Sequence, residues 1–226
     1  MQTADAPCAK TTGMTNSAIL FDFDGTLVES LDVKIIAFAA LYRAYGEDVE
    51  RAAVRHYRQH SGVSRLKRIR HCHEQILGAT PTEAEIVALG DLFGTMVEDQ
   101  VAAAEWVPGA REFLDAQLGV RPLFIASATP QKELERIVQK RGMSHYFDAV
   151  FGSPPDKGEI IRAILESRGL EPSGVVMIGD GRADYDAAMA NRVRFIGRLT
   201  RGYPSPFPQD ADVIDDLTSL PRFLHP

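Results

Sequence analysis

The sequence predicts an α/β fold: a doubly wound parallel sheet in three αβα layers, interrupted after its first strand by an inserted helical subdomain. Three observations predict it. Short apolar runs bounded by turn residues recur along the chain, helix-period segments lie between them, and one long stretch, about 29–106, carries helical stripes without a convincing strand. Runs that are apolar at successive positions suit strands covered on both faces, and strand alternating with helix gives βαβ units and a parallel sheet.

Residues 1–16 are polar and aperiodic and read as a loose tail outside the fold, with Met14 as an alternative start. The first strand lies in 18–23, and further strands are expected at 122–126 (PLFIA), 149–151 (AVF), 174–178 (GVVMI), 193–196 (VRFI) and 211–214 (ADVI). Helical periodicity marks 109–117, 131–141, 157–168 and 185–191. These segments assign 17–28 and 107–226 to the core domain. In the inserted stretch, Ile35, Phe38, Ala39, Leu41 and Tyr42 make one apolar stripe, and Leu66, Ile69, Ile76 and Leu77 a second. Ile86, Leu89, Leu92, Phe93, Met96 and Val97 make a third, and the turn at Val107, Pro108 and Gly109 marks the return to the core.

The chain has 226 residues, 45% of them hydrophobic, which is enough to bury a real core. Its net charge of -6 argues against general nucleic-acid binding. No apolar run approaches the ~20 residues that span a bilayer, and neither a secretory nor an Arg-rich targeting pattern opens the chain, so a cytoplasmic protein is expected. Cys8 and Cys72 are too few for a disulfide framework. One local excess stands out: Arg51, Arg55, Arg58, Arg65, Lys67, Arg68 and Arg70 follow one another with no acid between. It either faces an anionic substrate or is a solvated helix face. His56 and His60 are four apart but lack a third ligand for zinc, and His71 and His73 fall on different helix faces.

Ligands of open α/β sheets bind beyond the carboxyl ends of the strands. There the sequence places Asp22, Asp24 and Thr26, then Ser127 and Thr129, then Lys157, then Asp180 and Asp184. Carboxylates converging on one crevice repel unless a cation sits among them, and an incomplete all-oxygen set favours Mg²⁺ over Ca²⁺. Lys157, the Ser127 hydroxyl and amides around Gly25 suit an anion. Together these groups describe phosphoryl transfer. Each has a plainer reading too. Asp-Gly is a common turn, Asp184 and Asp186 suit a helix start, an isolated Lys157 would be a surface lysine, and Thr129 suits a helix N-cap before Pro130.

The chain resembles the haloacid dehalogenase superfamily. The first motif of that family corresponds to Asp22, Phe23, Asp24, Gly25 and Thr26, the second to Ser127 in LFIASATP, the third to Lys157 in PPDKGEII, and the fourth to Gly179, Asp180 and Asp184. The order is kept over 17–226. The resemblance implies a Rossmann-like core with a helical cap over 29–106. It implies Asp22 as nucleophile and Asp24 as general acid and base. Mg²⁺ would be held by Asp22, the Asp24 backbone carbonyl and Asp180, with Asp184 close by, and Thr26, Ser127, Ala128 and Lys157 would bind the phosphoryl group.

SGVSRL, residues 61–66, is similar to a cap loop of β-phosphoglucomutase-like members, which implies that Arg65 meets a second phosphate. The leading expectation is a Mg²⁺-dependent phosphatase acting on a small phosphorylated metabolite, a sugar phosphate or phosphoglycolate-like acid. The alternative is a sugar phosphomutase. A dehalogenase has little use for an acid at Asp24, a phosphonatase would need a Schiff-base lysine for which only Lys34 and Lys67 offer themselves, and a degenerate binding protein would have broken motifs. Asn191 and Arg192 depart from the Ala-Gly usual in similar proteins, with little functional consequence expected because Asn serves a left-handed helix end. Oligomeric state is left open.

Overall fold

A computed structural model of the chain describes residues 17–60 and 62–224. The expectations for 1–16, including Cys8 and Met14, and for Ser61 lie outside the described residues.

Eight helices are described: α1 (Leu31–Tyr42), α2 (Glu47–Gln59), α3 (Arg65–His71), α4 (Glu83–Ala103), α5 (Ala110–Gln117), α6 (Gln131–Lys140), α7 (Lys157–Arg168) and α8 (Arg182–Ala190). The strands are β1 (Ala18–Phe21), β2 (Leu123–Pro130), β3 (Ala149–Ser153), β4 (Val175–Gly179), β5 (Arg194–Arg198) and β6 (Val213–Ile214). They form one sheet in the order β3-β2-β1-β4-β5-β6, with every pairing parallel. The fold is the doubly wound, Rossmann-like α/β sheet with helices on both faces.

Side chains alternate between the faces of a strand, so each strand feeds two apolar layers. Ile19, Phe21, Ile125, Val176 and Ile178 pack on the side of Phe113 and Leu114 from α5 and Leu134 and Ile137 from α6. Ala18, Leu20, Phe124, Val175 and Met177 pack on the other side, against Ile160, Ile161 and Ile164 of α7 and Ala188 of α8. β2 runs further than the apolar run 122–126 suggested: its pairing with β3 shifts between Ala126 and Pro130, and the polar tail Ser127–Pro130 stays extended toward the sheet's carboxyl edge.

Helices α1 to α4 form the inserted helical layer. The outgoing and returning chains lie side by side, Glu29 N–H donating to Glu105 O at 2.9 Å and Val107 N–H to Leu27 O at 3.0 Å. α4 starts with a capping box in which Thr82 and Glu85 satisfy each other's backbone N–H groups. At the centre of this layer the Phe38 ring meets Tyr57 at 5.0 Å, Tyr42 at 5.2 Å and Phe93 at 6.0 Å. Two residues of the expected stripes fall off the buried face: Leu66 is 40% exposed and Leu92 51%.

Phe38→Ala should therefore cost about 3–5 kcal/mol, whereas Leu92→Ala should stay within about 0.5 kcal/mol of the parent. Denaturant unfolding of both variants checks the assignment, and equal losses would contradict this packing.

Candidate active site

β1 and β4 are adjacent and in register, Phe21 opposite Ile178, so the residues that follow them, Asp22 and Asp180, emerge together at the carboxyl edge. Asp22 N–H donates to Ile178 O at 2.8 Å, which continues the ladder by one residue and holds the carboxylate there. The chain then turns back at Gly25, whose φ of +75° suits glycine. A Cβ at this position would collide with the Asp180 carboxylate. The turn buries Thr26 completely and leaves its hydroxyl with no hydrogen-bond partner among the described residues. Thr26 is not among the residues that line the two openings at the edge of the sheet.

Ser127 and Ala128 do reach that edge, from the tail of β2, and the Ser127 hydroxyl accepts from Thr129 N–H at 3.2 Å. Lys157 enters as the first residue of α7, fixed by an Asp156–Glu159 capping box. Its Nζ lies 2.9 Å from Asp22 Oδ1 and also bonds Asp184 Oδ1. Asp184 Oδ2 accepts from Gly181 N–H at 2.9 Å.

Charge is crowded here. Burial pushes the Asp22 carboxyl up to about 7, Lys157 pulling against the rise and Asp184 and Asp24 adding to it. Burial, together with Asp22 and Asp184, holds Asp180 well above the ordinary carboxylate range. Burial works against the Lys157 ammonium, but Asp184 and Asp22 more than offset it and hold its protonation above the usual lysine range. Both partners of the Lys157–Asp22 pair thus rise, because one ammonium is divided between two carboxylates. Asp24 behaves differently. Burial would raise it, yet Lys34 and hydrogen bonds from Ser30 and Thr129 outweigh that and leave it below its ordinary value.

Ligand oxygens of Asp22, Asp180 and Asp184 lie within 4.8 Å of one another, and among the described residues this is the trio of acids that converges in that way. Three buried carboxylates beside one ammonium leave an excess of negative charge. A hard divalent cation fits that donor set.

The helical layer adds groups that sequence reasoning had not placed. Lys34 of α1 bridges Asp24 Oδ2 at 2.5 Å and donates to Thr129 Oγ1 at 3.0 Å. Thr129 Oγ1 donates in turn to Asp24 Oδ2 at 2.8 Å, and Ser30 Oγ to Asp24 Oδ1 at 2.7 Å. The sequence offered Lys34 only as one of two lysines available to a phosphonatase, neither in a convincing motif, with no local signal of this role. Arg68 donates to Val63 O and Tyr57 O and stacks 3.8 Å from the Tyr57 ring. Arg65 is committed to Glu133 of α6 at 2.5 Å rather than standing open in the crevice. The basic run is therefore split: Arg65 and Arg68 are buried at the site while Arg51, Arg55, Arg58 and Lys67 are exposed. His71 of α3 stacks on His56 of α2 at 3.8 Å with an interplanar angle of 9°. Lone pairs of parallel rings lie in their planes and do not converge on a metal.

Two openings meet at these residues. A small cavity of about 50 Å³ is bounded by Asp22, Asp24, Lys34, Arg68, Ser127 and Asp180. A groove of about 1140 Å³ leads outward between the helical layer and the core, past Ser127, Lys157, Arg65 and Glu133.

A profile of the haloacid dehalogenase-like hydrolases matches residues 17–191, more than half of the chain. The chain belongs to that family. Phosphoglycolate phosphatase of Synechococcus elongatus is 28% identical over 176 residues, 76% of this chain and 78% of that protein. A 5'-nucleotidase of Pseudomonas aeruginosa is 29% identical over 195 residues, 79% of this chain and 80% of that protein. In structure, β-phosphoglucomutase of Clostridium difficile superposes with a TM-score of 0.72 at 17% identity, covering 90% of this chain and 92% of that one. With this family and these relatives, the hydrolase is a phosphatase. Among the described residues of the hydrolase no helix is long and apolar enough to cross a membrane.

Because the folded-state pKa of Asp22 is raised from 3.8 to about 7, its contribution to stability is full below the unfolded value and is lost as pH rises through 7. A divalent cation competes with that proton. At a fixed concentration Mg²⁺ should therefore raise the melting temperature of the EDTA-treated hydrolase more at pH 8 than at pH 5, the stabilisation at pH 8 being about 2.7 kcal/mol when the ion is at 100 times its dissociation constant there. Asp180→Asn should shrink the gain. Scanning calorimetry at the two pH values reads the difference, and an equal gain at both would sink the assignment.

Proposed function

We propose that the protein is a Mg²⁺-dependent phosphatase of a small phosphorylated metabolite, working through an aspartyl-phosphate on Asp22, with helices α1 to α4 as its cap over residues 29–106. The carrying observation is Lys157 seated between Asp22 and Asp184, with Asp180 beside them and Ser127 at the same mouth. Carboxylate nucleophile, ammonium and hydroxyl are the parts that in-line phosphoryl transfer needs. Asp22, Asp180 and the Asp24 backbone carbonyl would hold the cation, with Asp184 close by. Bound there, it supplies the positive charge that keeps Asp22 ionised and offsets charge on the phosphoryl oxygens.

In the first step an Asp22 carboxylate oxygen attacks phosphorus, the bond from phosphorus to the leaving oxygen breaks, and Asp24 gives that oxygen its proton. Pairing with Lys34 holds Asp24 as the carboxylate before substrate binds, so Asp24 must first take up a proton from solvent, which it then gives to the leaving oxygen. Water then attacks the phosphoaspartate, Asp24 takes back a proton, and phosphate leaves with the Asp22 carboxylate restored. Lys157, Ser127 and the Ala128 backbone would clamp the phosphoryl oxygens.

A sugar phosphomutase would use the same first step but return the phosphoryl group to product. The names of the phosphatase relatives favour hydrolysis, and phosphate release measured against isomerised product separates the two. A buried or cap-bound site argues for a small, soluble phosphate ester, not a nucleic acid.

Asp22→Asn should abolish phosphate release with Mg²⁺ and a phosphate ester. Asp24→Asn should lower kcat about 10²–10⁴-fold. With p-nitrophenyl phosphate, whose leaving group departs without a proton, the same variant should accumulate phosphate on the Asp22 peptide. Mass spectrometry of quenched reactions detects it, and wild-type turnover by Asp22→Asn would refute the mechanism.

A further inference from the structure

The groove that leads out of the reaction centre is lined near its inner end by a buried ion pair that the proposed chemistry does not use. Arg65 Nη2 lies 2.5 Å from Glu133 Oε1, and both side chains are 7% exposed. Arg65 Nη1 donates to Gly90 O at 3.1 Å, and the guanidinium sits 4.9 Å from the Phe93 ring centroid. The pair is built into its place. A Cβ at Gly94 would come within 2.6 Å of Arg65 Nη1 and 2.7 Å of Glu133 Oε2, so α4 presents a bare backbone to it. Arg65 belongs to the cap and Glu133 to the core, and the pair borders the route that a leaving group must take.

We propose that Glu133 sets the substrate class by occupying Arg65, so that the part of the leaving group that reaches this pair is uncharged and hydroxyl-bearing rather than a carboxylate or a second phosphate. This rests on the phosphatase reading of the site. A free Arg65 would be a receptor for an anion. Paired, it carries no net charge with Glu133. A carboxylate or phosphate entering beside it faces the Glu133 carboxylate, and like charges brought together at a buried site cost several kcal/mol. Displacing Glu133 is no remedy, because a buried carboxylate would then lose its partner. A hydroxyl meets no such conflict. It can donate to Glu133 Oε2, the carboxylate oxygen opposite the one that accepts from Arg65 Nη2, and accept from the guanidinium.

The other buried guanidinium of α3 does not replace Arg65. Arg68 spends its donors on Val63 O and Tyr57 O, and its charge faces Asp180 and Asp24. Lys67 and Lys132 are exposed on the groove wall, where water screens them. The groove of about 1140 Å³ also has room for far more than a two-carbon acid.

Glycerol 3-phosphate and 3-phosphoglycerate differ only in a terminal hydroxymethyl against a carboxylate, and their ratio of kcat/KM reads the proposal. The wild-type enzyme should prefer glycerol 3-phosphate by about tenfold or more. Glu133→Gln should move the ratio at least about tenfold toward 3-phosphoglycerate, Glu133→Asp should move it part of the way, and Arg65→Gln combined with Glu133→Gln should remove the shift. Wild-type preference for 3-phosphoglycerate, or an unchanged ratio in folded Glu133→Gln protein, overturns the proposal. Failure of the phosphatase reading looks different: neither ester nor p-nitrophenyl phosphate would release phosphate with Mg²⁺. Binding of the two esters to Asp22→Asn protein, with and without Glu133→Gln, decides the role of Glu133 in that case too, because it requires no turnover.

Discussion

Negative charge packed around one buried ammonium is the constraint on which the rest of this structure depends. Asp22, Asp180 and Asp184 share a space within which their oxygens lie less than 4.8 Å apart, and Lys157 is divided between two of them. Lys157 is also the first residue of a helix, where the macrodipole disfavours a cation. Only the surrounding carboxylates make that position tolerable, and only the ammonium together with a hard cation makes their ionisation tolerable. Such an arrangement is unstable as decoration and useful as a site: it attracts a divalent ion and a phosphate in the same place.

The sheet delivers this crowding and the helical layer conditions it. Parallel register between β1 and β4 puts Asp22 beside Asp180 without any side-chain contact having to choose the pairing. From above, α1 lowers Lys34 onto Asp24, and the segment through α3 brings Arg65 and Arg68 to the mouth. Two acids one residue apart thereby acquire opposite characters. Asp22 is pushed toward protonation in a crowd of carboxylates, and Asp24 is held below its ordinary value by an ammonium of its own. Attack on phosphorus by Asp22 therefore needs a cation to displace its proton, and donation by Asp24 needs that residue to take one up first.

The positions of Asp22, Ser127, Lys157 and Asp180 were legible because each stands at the end of an apolar run, and a strand end in an open parallel sheet is a place as well as a boundary. The alternation of strand and helix was legible for the same local reason. The burial of Thr26 was not readable, because the turn at Gly25 reverses the chain and no periodicity reports the direction of a side chain in a tight turn. Leu66 and Leu92 were counted with their stripes although both point away from the packed face. The pairing of Lys34, that of Glu133 and the stacking of His71 on His56 were not readable: each depends on a partner from another element of the fold.

What the sequence by itself determined is therefore the list of reactive groups and the edge on which they gather. Strand periodicity and motif order are local properties, and the parallel sheet turns them into positions. What only the tertiary structure decided is which charges are free. Arg65, Arg68 and Lys34 belong to one basic or amphipathic stretch when read along the chain, yet in the fold one is occupied by Glu133, one by backbone carbonyls, and one by Asp24. The physical reason is that a buried charge takes its meaning from the partner beside it, and no periodicity along the chain names that partner.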